Sequence, residues 1–119
     1  SLNTLQIGES VTLDTGAYQA NPVQAGLTAF AGGGQAKATQ LNYGVNEITT
    51  VATAADSVKL PPLVEGVGVR VINAGSKAAQ VFLGAAGTIN GVDGVATGVS
   101  LSNGASAVYT AVSATKAYT

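Results

Sequence analysis

Catalytic chemistry has few places to start in this chain. It contains no His and no Cys. A Ser–His–Asp or Cys–His nucleophilic site cannot be assembled from its residues. Ordinary zinc, haem and iron–sulfur ligation is excluded with it. The acid–base candidates are the carboxylates of Glu9, Asp14, Glu47, Asp56, Glu65 and Asp93. Two carboxylates that meet in space can divide the general-acid and general-base roles, but these are scattered, and solvation at the surface is their expected fate. Ser57 and Lys59 stand two residues apart, on one face if the segment is a strand, and Ser76 precedes Lys77. A Ser–Lys pair needs a Lys whose pKa burial has lowered, and the flanking residues give no ground for one. No catalytic residue is expected, and the protein is expected not to be an enzyme.

Ligand motifs are equally thin. Gly66-Val67-Gly68 begins like a dinucleotide fingerprint, but Val71 stands where the third glycine belongs and no helix follows. Gly32-Gly33-Gly34 lacks the Lys and Ser/Thr of a phosphate-binding loop. The run from Thr88 to Gly94 has the look of a calcium turn, yet Asp93 is its one carboxylate, and hard cations take several oxygens. Asn90 and Gly91 instead suit an ordered loop. Tyr43, Tyr109 and Arg70 are the material of a stacking platform for single-stranded nucleic acid, but Lys plus Arg number only 5 against 6 acidic residues. No cofactor, no metal and no nucleic acid are expected. The uncharged stretches 15–36 and 94–115 are too rich in Gly, Asn, Gln, Ser and Thr to span a membrane. Residues 1–10 have neither the basic nor the apolar region of a signal peptide.

The elements that must carry any function read as β-structure. The 119 residues suffice for one domain, or one domain with an arm. Charged residues are 9% of the chain, against about 25% in a typical soluble domain. The apolar content is mostly Ala and Val, which bury little area each, so the core is thin and association is expected to add stability. Leu41, Tyr43 and Val45 alternate with Gln40, Asn42 and Gly44. Residues 47–53 are rich in β-branched side chains. Ser57-Val58-Lys59-Leu60 is stopped by Pro61-Pro62. Val67, Val69 and Val71 share a face, and residues 79–83 are expected to return beside them as a hairpin. A second hairpin is expected about Asn103-Gly104 with a type I′ turn. It pairs Val99 with Val108 and puts Val99, Leu101, Val108 and Val112 on a core face. Ser100, Ala105, Ala107 and Tyr109 then form a small face open to a neighbouring subunit. Helix is confined to a short option at residues 23–30. The predicted fold is all-β: a jelly-roll-like antiparallel β-sandwich over residues 37–119. Residues 1–36 form an extended N-terminal arm or the first strands, with Gly32-Gly33-Gly34 as a hinge or a tight bend.

An ordered series of segments carries a resemblance. Thr49-Thr50-Val51-Ala52-Thr53-Ala54-Ala55-Asp56-Ser57-Val58-Lys59-Leu60-Pro61 is followed by Gly68-Val69-Arg70-Val71-Ile72-Asn73-Ala74-Gly75, then Val81-Phe82, then Thr88-Ile89-Asn90-Gly91. The series resembles a module of tailed-phage virion proteins, and the chain as a whole resembles the capsid cement (decoration) proteins of short-tailed bacteriophages. The resemblance covers about residues 37–119. It implies a non-enzymatic virion structural protein on the outer capsid surface, bound to the major capsid protein and bridging capsomers. It also implies a homo-oligomer, a homodimer ahead of a trimer, with no membrane partner. A tail or baseplate component is the first alternative. A carbohydrate-binding β-sandwich is the second, disfavoured because sugar sites stack rings on exposed aromatics and Trp is absent.

Overall fold

Residues 22–119 are described by a computed structural model. The alternating Leu5, Ile7, Val11 and Leu13 of the expected arm, with Glu9 and Asp14, lie outside the described residues. Among the described residues there is no helix, so none that could cross a membrane. The strands are, in chain order, β1 (Val23–Thr28), β2 (Thr39–Gln40), β3 (Gly44–Thr50), β4 (Asp56–Lys59), β5 (Gly68–Asn73), β6 (Ala79–Phe82), β7 (Thr88–Ile89), β8 (Val92–Asp93), β9 (Val99–Leu101), β10 (Ser106–Ser113) and β11 (Lys116–Tyr118). The short-helix option at residues 23–30 is corrected to β1 (Val23–Thr28): Gly26 sits at φ +72°, outside helical geometry.

Two sheets enclose the core. The larger has the order β1-β3-β5-β10-β11-β7-β8 and the smaller β2-β4-β6-β9. From β1 to β6 the chain alternates between them, so β1, β3 and β5 stack in parallel in one sheet, and β2, β4 and β6 in the other. A parallel pair needs a long crossover, and here each crossover is a strand of the opposite sheet. β9 closes the smaller sheet antiparallel to β6, and β10 continues the larger antiparallel to β5. The sandwich is therefore mixed, not purely antiparallel: among the described residues, five of the nine strand pairings are parallel.

Both expected hairpins are corrected by this winding. β5 and β6 stand in different sheets, joined by residues 74–78. β9 and β10 also stand in different sheets. Asn103 keeps a negative φ while Gly104 takes +79°, and Ala105 donates to the Ser102 carbonyl at 3.1 Å. That is a type II pattern, which does not lay the second strand beside the first. The type I′ hairpin is at Asn90 (φ 53°) and Gly91 (φ 79°), between the paired Ile89 and Val92.

The core lies between the sheets. From the larger sheet come Ile48, Val69, Val71, Tyr109 and Ile89; from the smaller, Val58, Val81 and Leu101, with Leu41, Leu60 and Leu83 beside them. Buried side chains of this size contribute about 1.5–3 kcal/mol each. Asn73 ties the sheets together. Its Nδ2 donates to the carbonyls of Lys77 (2.9 Å) and Leu101 (3.0 Å), and its Oδ1 accepts the Gly75 N–H at 3.0 Å. Asn46, also fully buried, holds the entry of β3: its Oδ1 accepts the Asn42 N–H, and its Nδ2 donates to the carbonyls of Asn42 and Arg70. The alternation read from Leu41 shifts at β3, where Asn46 and Ile48 point inward rather than Tyr43 and Val45. Gly32-Gly33-Gly34 makes a bend inside the fold: Phe30 bridges Ser57, and Gln35 Nε2 reaches the Leu83 carbonyl at 3.0 Å.

Candidate functional site

The structure separates the chemistry-bearing residues. Ser57 is fully buried, exchanges backbone hydrogen bonds with Phe30, and its Oγ meets no partner. No substrate reaches it, so Lys59, on the same face of β4, has no accessible nucleophile to serve. Ser76 and Lys77 are exposed in the 74–78 connection. Asp56 is buried, and its carboxylate accepts the Thr53 N–H at 3.0 Å. Among the described residues no three carboxylates gather. Asp93 Oδ1 accepts the N–H groups of Val95 (2.9 Å) and Ala96 (3.0 Å). These bonds, that from Ala96 first, hold its pKa below the usual 3.8. Gly66 and Gly68 lie at the bend that enters β5, where the Gly66 N–H donates to the Ala111 carbonyl.

The residues weighed for a stacking platform are divided between faces. Tyr109 points into the core, 2% exposed, whereas Arg70 projects from the opposite face of the same sheet. Tyr43 is occupied at its hydroxyl, which donates to the Pro62 carbonyl at 2.7 Å.

An open groove of about 650 Å³ lies beside the Asn90-Gly91 hairpin, lined mainly by Gly, Ala and Thr, with Gln35 and Asp93. Gln35 and Asp93 already bond to the protein's own backbone. Thr88 contributes a hydroxyl, and the lining has no ring to stack on.

A face stands out instead. The outward side of the larger sheet follows from its register. Val23 opposes Val45, Val45 opposes Arg70, and Arg70 opposes Val108. Beside that row run Glu47, Ile72 and Ser106. On its other flank lie Gly68, Thr110 and Tyr118. Val112 extends it along β10. Val23 (66%), Val108 (37%), Val112 (49%) and Tyr118 (50%) are the large apolar side chains left open on it. The other exposed ones, Tyr43, Val64 and Val67, sit in the connections that enter β3 and β5. None belongs to the smaller sheet.

β10 reads opposite to expectation. Val108 and Val112 face solvent, while Tyr109 and Ala111 are buried and Ala107 packs on the core. Of the small face assigned to a neighbour, Ala105, Ala107 and Tyr109 turn toward the core, Ser100 is exposed on the smaller sheet, and the outer side of β10 is the one that carries valines. The signal lay in the partners of the two valines: their face also carries Ser106 and Thr110, whereas Ala107, Tyr109 and Ala111 include no strongly polar residue. The chain matches no protein-family model, no curated protein and no solved structure.

Proposed function

We propose that the protein is a non-enzymatic virion structural protein that binds the outer surface of a phage capsid, contacts the major capsid protein and stabilises the shell by bridging capsomers. The observation that carries the reading is the outer face of the larger sheet, an open apolar surface by which copies can be linked to one another on the shell: valines, an isoleucine, a tyrosine and small residues, with two charges near its centre. Exposed apolar surface of that kind marks an interaction site. The low charge of the chain and the resemblance over residues 37–119 point the same way. Stabilisation works by repetition. Each copy contributes a modest contact, and linked copies on a lattice of identical sites raise the effective affinity well beyond one contact.

The test is to add purified protein to phage capsids stripped of external proteins. Saturable co-sedimentation at a fixed ratio to the major capsid protein, with a higher capsid melting temperature, is expected. Binding to isolated tails alone, or no binding, overturns the reading.

A further inference from the structure

The outer face of the larger sheet carries two charges near its centre, and they are opposite. Arg70 lies between Val45 and Val108, and Glu47 is two residues beyond Val45 on β3. Their Cα atoms are therefore about 8 Å apart, one strand spacing sideways and two residues along. Arg70 is exposed and Glu47 half-buried, and neither pairs with an opposite charge among the described residues. Around them Val23, Ile72, Val108, Thr110 and Val112 are the immediate surface, and a further charge, Lys116, stands at the edge of the face on β11.

We infer that this face packs on the same face of a second copy about a two-fold axis, with Arg70 against Glu47 of the partner subunit and the reciprocal pair beside it. A two-fold axis lying in the interface, perpendicular to the line from Arg70 to Glu47 and crossing its midpoint, exchanges the two positions. One operation thus satisfies both charges and covers the valines that flank them, Val45 and Val108. An isologous contact needs a self-complementary patch, and a patch with one positive and one negative centre is self-complementary. A partner of uniform charge would leave one of the two unpaired, which costs more than a rim mismatch because the surrounding valines exclude water.

The size of the face sets the strength. Four strands at about 4.8 Å spacing with about six residues of each, and the three residues of β11, give a patch of about 430 Å² per subunit. The total of about 900 Å² is at the low end for a specific interface. The dimer is therefore weak in solution and dissociates on dilution. The two-fold contact specifies the self-association within the capsid-binding reading. It is measured on purified protein without capsids, so its failure and a failure to bind capsids are separate results.

The experiment is a charge exchange read by sedimentation equilibrium between about 10 μM and about 1 mM. The wild-type chain is expected to dimerise in this range. Arg70→Glu and Glu47→Arg are each expected to weaken the dimer about a hundredfold, since each sets like charges opposite one another twice. An equimolar mixture of the two variants is expected to recover wild-type association, because every Glu then meets an Arg. The double variant R70E/E47R is expected to recover it alone. Val108→Ser carries the same test without a charge change: it is expected to weaken the dimer about tenfold at an unchanged melting temperature. A wild-type chain that stays monomeric, single variants that associate normally, a mixture that fails to associate, or an unaffected V108S dimer would each overturn the assignment.

Discussion

The two outer faces of the sandwich are built from the same strand geometry and finished differently. On the smaller sheet, polar side chains fasten the protein's own backbone. Gln80 Nε2 donates to the Thr97 carbonyl at 2.9 Å, and Gln40 Nε2 to the Leu41 carbonyl at 2.9 Å. Phe30 bridges Ser57, and Phe82 is 5% exposed, with Gly98 close against its ring. On the larger sheet, nothing among the described residues crosses the central strands, and valines stand open. A face the chain covers itself contributes to folding. A face it leaves open contributes little until something binds. Substitutions of similar size should therefore act on stability at one face and on association at the other.

The largest expected effect is at Phe82. Phe82→Ala removes a buried ring from the covered face, and urea unfolding should show a loss of about 3–4 kcal/mol. Val112→Ser on the open face should cost less than about 0.5 kcal/mol. A Phe82→Ala loss as small as the Val112→Ser loss would erase the distinction.

Asn73 comes next, because it joins the sheets that own the two faces. Asn73→Ala leaves the Gly75 N–H and the carbonyls of Lys77 and Leu101 without their buried partner. Unfolding stability should fall by about 3 kcal/mol. Stability close to wild type would show that the sheets are held together by the apolar core alone.

The inward side of β10 sharpens the same contrast through pH. Burial pushes the Tyr109 hydroxyl from 10.0 to about 12. The unfolded chain loses this proton first, so the contribution is whole below pH 10 and declines as pH rises toward 12. About 2–3 kcal/mol should be lost across that interval. Tyr109→Phe should remove this alkaline decline from a series of melting curves.

The smallest effect is at Asp93, the exposed last residue of β8. The N–H groups of Ala96 and Val95 lower its pKa. The stabilisation it gives is present above the unfolded value and lost as pH falls through the folded one. Melting curves below pH 4 should show a slight acid-side loss that Asp93→Ala abolishes.

Much of the strand content was legible in the residues. The Pro61-Pro62 stop marks the end of β4 within a residue, and Val69 and Val71 against Gly68 and Arg70 mark both faces of β5. Partners were not legible. A period of two says which side chains share a face, but not which strand lies alongside. Residues 79–83 carry the apolar pattern of β5's neighbour while belonging to the opposite sheet. Two Asn-Gly pairs look alike in sequence, and only the one at 90–91 takes positive φ at both residues. The open face was hidden for a related reason. Val108 and Val112 are more apolar than Ala107 and Ala111, so size alone assigns the valines to the core. Tyr109 settles the orientation by filling the core with its ring.

One comparison tests the account most directly: sedimentation equilibrium of Val108→Arg beside Ser100→Arg, each placing one new charge at an exposed strand position of one outer face. Val108→Arg should abolish self-association while its melting temperature stays near wild type, and Ser100→Arg should associate as the wild type does. Loss of association with Ser100→Arg, or undiminished association with Val108→Arg, would contradict the assignment of the open face as the interface.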